Sequence, residues 1–302
     1  MSALNRTPQL RGTFTPGDPA SGYYNDLRIV AHGYGVPHEA AGWFEMFALR
    51  RERALPVSML QLALGSWQIA TLENDPRWLE LVRAAADWAV VDMDGHGRFA
   101  HHQPMPHTYE IEPPWFSAMA QGQGASLLVR AAATFEQPDL LREARRAIAP
   151  LLAADSQLVA TTDDGLVLQE YPSTPPAHVL NGWIWALWGL YDVAVAGDGD
   201  AEAREAFDNG VETLAARLPL YETARGWSRY DLYPHPVVNV ASPFYHRLHI
   251  EQLRALNELA PREAFTEHAD RWQASLASRT ARLSAVARKV RFRMVRPRRK
   301  AA

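Results

Sequence analysis

Along most of the chain, apolar residues recur at three- and four-residue spacing, the period of amphipathic helices. The spacing predicts helices over Pro37–Leu49 and Leu55–Thr71, then a third that Asp75 caps and Pro76 opens, running through Trp78, Leu81, Val82, Ala85 and Trp88. After an Asp- and Gly-rich turn at 92–97 comes a His- and Pro-rich segment, 98–114, read as irregular or as a short hairpin. Helices follow over Ser117–Thr134 and Pro138–Ala154. Thr162-Asp163-Asp164-Gly165 then turns into an apolar run, Leu166-Val167-Leu168, that reads as a strand.

The next element differs from the rest. From Val179 to Tyr191 the chain is apolar nearly all round and carries Trp183, Trp185 and Trp188, so this helix belongs in the core rather than at a sugar-stacking surface. Before it stands a polar stretch stiffened by Pro172, Pro175 and Pro176, a rigid loop on the end of a buried helix. Helices over Ala201–Arg217, Pro243–Leu259 and Pro261–Ala287 complete the pattern. Helix pairs joined by loops recur without a strict sequence repeat. Antiparallel pairs closed into a toroid bury such helices in one domain, so the expected fold is mainly α, an (α/α) barrel with short strands or hairpins in its loops. The expected organisation is an extended arm at 1–20, a single domain at 21–287 and a basic tail at 288–302.

Composition narrows the partners. With 31 Lys+Arg against 34 Asp+Glu the net charge is -3, which gives no overall case for nucleic acid. There is no cysteine, so disulfides and thiolate chemistry are excluded. No leader or membrane-spanning pattern is visible, and a cytoplasmic protein is the default expectation. The basic run from Arg288 to Lys300 reads first as a solvated, flexible end. Its alternative reading is attraction to acidic polysaccharide or to anionic lipid at the inner face of the membrane, with Phe292 and Met294 as weak apolar anchors. His246 and His249, even with His32, His101, His102 and His107, lack a carboxylate in register, so no metal is expected. Gln121-Gly122-Gln123-Gly124 fits no phosphate-binding spacing; its glycines suit close helix packing, with Gln121 or Gln123 lining a pocket.

Four motifs converge: 114–123 (PWFSAMAQGQ), Glu170-Tyr171-Pro172-Ser173-Thr174-Pro175 with Val179-Leu180-Asn181-Gly182, Arg229-Tyr230-Asp231-Leu232, and 245–253 (YHRLHIEQL). In order and spacing they resemble the C-terminal catalytic domain of D-glucuronyl C5-epimerases, the heparan sulfate and heparosan-modifying enzymes. The resemblance runs from about Trp88 to Trp272. Earlier it is confined to Gly22-Tyr23-Tyr24 and His32-Gly33-Tyr34-Gly35, and there is no room for the β-rich portion of the animal enzymes, so the likeness is to a short bacterial form.

The resemblance implies inversion of carbon 5 of glucuronate in a polysaccharide or oligosaccharide. Such a reaction removes a proton alpha to a carboxylate and returns one to the opposite face, through an intermediate whose negative charge must be stabilised. It implies Glu170, Tyr171, Tyr230 and Tyr245 as the proton-transfer set, with Tyr23, Tyr24, Asn181, His246 and His249 as substrate contacts beside Gln121 and Gln123. Arg130, Arg229 and Arg247 are the expected carboxylate clamps. No cofactor is expected, and a homodimer is implied by likeness alone. One position departs from the family pattern: Tyr233 stands where the family has an arginine three residues after the tyrosine matching Tyr230. An (α/α)-barrel lyase or glycoside hydrolase, and a non-catalytic glycan-binding protein, are the alternatives.

Overall fold

The computed structural model describes residues 10–33, 42, 55–104 and 108–297. Apart from residue 42, the helix expected over Pro37–Leu49 lies outside them, as do the turn residues Tyr34 and Gly35, His107 and the end of the basic run. Among the described residues are ten helices: α1 (Arg28–His32), α2 (Pro56–Leu72), α3 (Leu79–Asp92), α4 (Ala118–Thr134), α5 (Asp139–Leu152), α6 (Leu180–Val195), α7 (Ala201–Arg217), α8 (Pro243–Leu259), α9 (Glu263–Ala277) and α10 (Arg279–Val295). Two strands, β1 (Val159–Thr162) and β2 (Gly165–Leu168), pair as an antiparallel hairpin with Val159 opposite Leu168. The chain is mainly α, as its periodicity predicts.

Helices α2, α4, α6 and α8 form an inner row, and α3, α5, α7 and α9 run back outside them. The inner helices start at residues 56, 118, 180 and 243, a spacing of 62, 62 and 63. The repeat lies in geometry, because each pair must only present an apolar face to its neighbours, which many sequences satisfy. The inner helices share one polarity: Trp67 Nε1 near the end of α2 donates to Thr134 Oγ1 at the end of α4, while the starts of α4, α6 and α8 all meet the loops around Gln169, Glu170 and Tyr230. One rim therefore gathers helix N-termini, with their partial positive charge.

Close packing of α4 on α6 is what the glycines provide. A Cβ on Gly189 would lie 2.3 Å from Gly122 Cα, and one on Gly122 would lie 2.5 Å from Trp185 O. Trp183, Trp185 and Trp188 are fully buried on α6, as core residues.

The opposite rim is closed by residues 10–27, which are not a loose arm. They fold on themselves through Gly12 N to Tyr24 O and Tyr23 N to Thr13 O, at 3.0 and 3.1 Å. They then touch every inner helix near its far end: Gln68 accepts from Leu27 N at 2.8 Å, Arg130 donates to Gly22 O at 2.9 Å, Asp192 accepts from Tyr24 OH at 2.5 Å, and Glu258 pairs with Arg11.

The C-terminal reading also needs correction. The expected single helix over Pro261–Ala287 breaks at Ser278, whose hydroxyl caps α10 by accepting from Ala281 N at 3.3 Å. Helix α10 then continues through the basic run to Val295, and Phe292 is buried against His235 rather than free to act as an anchor.

Candidate active site

The β hairpin sets the position of Glu170. Gln169 N donates to Leu158 O at 2.7 Å, and Gln169 O accepts from Ala118 N at 2.9 Å, so the residues after β2 are pinned to the start of α4. The Gln169 amide also holds the far side of the loop, through His178 N at 3.2 Å and His178 Nδ1 at 3.0 Å. Glu170 is thereby turned onto the first turn of α6. Val179, at the cap position, offers that helix no side-chain acceptor; the Glu170 carboxylate instead accepts the Gly182 N–H and, at 3.3 Å, Asn181 Nδ2.

Glu170 is only 6% exposed. Burial raises its pKa from the ordinary 4.5 to about 7, opposed by hydrogen bonds from Tyr171, the Gly182 N–H and Asn181, and reinforced by the nearby Asp231 charge. A carboxylate balanced near neutrality can take and release a proton in turn.

Three phenols line up from it. The Tyr171 hydroxyl donates to Glu170 and accepts from Tyr230, and the Tyr230 ring meets the Tyr245 ring edge-on at 4.8 Å. Burial, then the Glu170 charge, hold the Tyr171 and Tyr230 hydroxyls well above the ordinary value, so the resting site keeps both protonated. All three rings are half-buried. Tyr230 is fixed by its backbone, accepting from Leu180 N at 3.2 Å and donating to Asn239 O at 2.8 Å. Tyr245 occupies the first turn of α8, where its N–H donates to the Ser242 cap at 3.4 Å.

The structure adds residues that the sequence reading did not single out. Tyr109 packs 5.1 Å from Tyr171 and donates to Asp231 Oδ2 at 2.5 Å. The same oxygen accepts from Asn239 Nδ2 at 2.6 Å and faces His235 Nε2 at 3.3 Å. Asn239 Oδ1 in turn accepts from Lys289 Nζ at 2.6 Å, and that ammonium lies 5.4 Å from the Tyr230 ring and close enough to His249 to oppose its protonation. Asp231 lies within one of the four motifs, and Tyr109 in the His- and Pro-rich segment; Lys289, in a basic run, carries no signal of its own. Tyr233, at the arginine position of the family pattern, packs on Tyr109 at 5.4 Å and His235 at 4.7 Å.

Several expected substrate contacts lie elsewhere. Tyr23, Tyr24 and Arg130 are buried at the closed rim, with Arg130 Nη1 2.7 Å from Asp192 Oδ2 and its guanidinium 4.5 Å from the Tyr23 ring centre. Some 12 residues of helix, roughly 18 Å, separate Arg130 from the site rim; its carboxylate partner is internal. Gln121 is a structural clamp, donating to Gly97 O and Ala147 O at 2.6 Å each and accepting from Phe99 N at 2.9 Å. Gln123 is fully buried. Arg229 directs its guanidinium to Leu220 O at 3.4 Å, and Arg247, two residues past Tyr245, lies on another face of α8.

His246 stacks on Trp227 at 3.9 Å and bonds Ser228, Trp272 O and Ser275, with burial lowering its pKa to about 4. His249 shares the Ser228 hydroxyl at 2.9 Å and lies 6.5 Å from Tyr245, one helical turn on, so it borders the site. Burial keeps it neutral. Of the expected contacts, Asn181 and His249 lie beside Glu170 and Tyr245. Among the described residues no three histidine or acidic side chains are grouped as metal ligands.

Residues 93–274 match the model of the family described as D-glucuronyl C5-epimerase C-terminus. The D-glucuronyl C5-epimerase of Caenorhabditis elegans is 32% identical over 209 residues, 63% of this chain and 34% of that protein, so the chain spans only about a third of that relative's length. Among solved structures, the unsaturated glucuronyl hydrolase of Bacillus sp. GL1 aligns at 14% identity with a TM-score of 0.47, over 92% of this chain and 78% of that one. The family match takes in more than half of the chain and all of Tyr109, Glu170, Tyr171, Tyr230, Asp231 and Tyr245, and the chain belongs to the D-glucuronyl C5-epimerase C-terminus family.

Proposed function

We propose that this protein inverts carbon 5 of glucuronate units in a uronic-acid glycan. The observation that carries the reading is the continuous run Glu170, Tyr171, Tyr230, Tyr245 at the rim where the inner helices begin. In the first half-reaction Tyr171 gives its proton to ionised Glu170 as its oxygen takes the proton from carbon 5. The C–H electron pair moves into the substrate carboxylate, giving an enediolate, and Glu170 ends protonated. In the second, Tyr245 delivers a proton to the other face, and the pair returns to carbon 5. Glu170 then reprotonates Tyr245 through Tyr171 and Tyr230, so the proton count closes.

The enediolate carries one more negative charge than the substrate carboxylate, and that charge must be stabilised. The helix N-termini at this rim and the Lys289 ammonium, 5.4 Å from Tyr230, supply compensating positive potential in a chain whose family arginine is Tyr233.

The test is incubation with a glucuronate-containing polymer, such as heparosan, in deuterated water. Phenol and carboxyl protons exchange with the solvent between turnovers, so deuterium should enter carbon 5 with a changed gluco-to-ido ratio. New unsaturation would assign a lyase, chain shortening without unsaturation a hydrolase, and binding without exchange a glycan-binding protein. Tyr245→Phe should abolish exchange while the protein stays folded; unaltered exchange would remove that residue from the mechanism.

A further inference from the structure

Helix α10 is apolar on two opposite faces. Its inward face carries Ala281, Ala285 and Phe292, with Lys289 reaching Asn239 beside the tyrosines. Past Arg279 in the first turn, its outward face is apolar: Leu283 is 71% exposed, Val286 44%, Val290 54% and Met294 78%. At 3.6 residues per turn these four fall within an arc of about 80°, opposite Phe292. Arg282 and Arg291, both exposed, flank the arc on either side. From Arg279 to Pro297 the chain has seven Lys or Arg residues and no Asp or Glu.

We propose that this face docks the protein on an anionic membrane surface. An apolar stripe bordered by arginines lets aliphatic side chains enter the boundary between headgroups and acyl chains while the guanidiniums meet lipid phosphates. The other occupants satisfy half of the pattern. A second copy seated on the stripe would bring two strongly cationic helices together. A polyanionic glycan or nucleic acid would meet the arginines and leave the four aliphatic side chains in water. The anchors differ from those the sequence suggested: Met294 remains, Phe292 is internal, and Leu283, Val286 and Val290 join. Among the described residues no helix is long and apolar enough to cross a membrane, so the contact is with the surface. The proposal does not rest on the catalytic reading.

The test is co-sedimentation of the full chain with vesicles of phosphatidylcholine and phosphatidylglycerol, against vesicles of phosphatidylcholine alone. The protein should bind the anionic vesicles, less so as salt is raised, and not the neutral ones. Val290→Ser with Met294→Ser, which keeps every charge, should cut binding about tenfold or more. Arg282→Gln with Arg291→Gln should weaken it while circular dichroism stays unaltered. Absence of binding to anionic vesicles would overturn the proposal, as would binding that ignores the serine variant. A dimer in analytical ultracentrifugation that the serine variant dissolves would assign the face to a second copy and overturn it equally.

Discussion

Lys289 Nζ donates to Asn239 Oδ1 at 2.6 Å, tying the last helix to the loop that carries Tyr230. Through Asn239 the ammonium is linked to the buried Asp231 carboxylate, and it lies 5.4 Å from the Tyr230 ring. A cation there is set to stabilise charge developing on the substrate carboxylate. Lys289→Met should lower kcat/KM for carbon 5 exchange by about 100-fold, the range for loss of one charge-stabilising donor. Lys289→Arg should recover part of it, and exposed Arg291→Gln should change little. Steady-state exchange kinetics check this, and an unaffected Lys289→Met would separate α10 from catalysis.

Glu170 offers a second test, because function and stability move in opposite directions there. Its folded-state pKa, about 7, lies above the ordinary 4.5. The native state therefore holds the proton more tightly than the unfolded chain, and stability falls as pH rises from about 4.5 to about 7, with the full penalty above. Glu170→Gln keeps an acceptor for the Gly182 N–H and removes the charge. At pH 8 it should stabilise the protein by up to about 3 kcal/mol, with little effect near pH 5, while exchange is lost. Denaturant melts at the two pH values decide it.

The same group sets the pH profile. The proton-accepting form is the carboxylate, so kcat/KM should rise with pH through about 7 and level off above. The hydroxyls of Tyr171 and Tyr230, held well above their ordinary value, predict no falling limb from their own ionisation below pH 10. A bell with its acidic limb near pH 4.5 would point to a carboxylate other than Glu170.

Much of this was legible in the sequence, and the failures have physical causes. Periodicity placed α7 and α8 at their observed ends, because each buries one face and opens on a cap, Asp200 or Ser242. Glu170 and the three tyrosines each lie in one of the motifs, so motif reading singled out four side chains that the fold then brings together. Arg130 misled because a sequence shows a cation but not its partner, and Asp192 lies 62 residues away on the next inner helix. Lys289 was hidden by its neighbours: five other cations within one helix read as a solvated end, and only the fold shows which one points inward.

The Arg130–Asp192 pair should therefore behave as structure. Both side chains are fully buried, and every arm of the guanidinium is used, on Asp192, Gly22 O and Ser126 O. Arg130→Met leaves the Asp192 charge uncompensated and should destabilise by about 3–5 kcal/mol. Arg130→Met with Asp192→Leu, which removes both charges, should cost less than the sum of the single changes. At temperatures where the variants stay folded, KM for the polymer should be unaltered. A large rise in KM without loss of stability would return Arg130 to the substrate.

Gly182 is where packing and chemistry meet most directly. It gives Glu170 its backbone N–H, and a Cβ there would fall 2.3 Å from Glu170 Oε2 and 2.4 Å from Glu170 Cβ. Gly182→Ala favours helix propensity in α6, where alanine outranks glycine by about 1 kcal/mol, so the helix itself should not suffer. The carboxylate must move, losing the N–H bond that holds its pKa down and its register with Tyr171. Exchange should fall about 10- to 100-fold, comparable to other misplacements of a proton-transfer group, and the rising limb of the pH profile should shift above 7. Far-UV circular dichroism should be unaltered. A variant with full activity and an unmoved pH limb would mean that Glu170 is not the group whose proton the reaction needs.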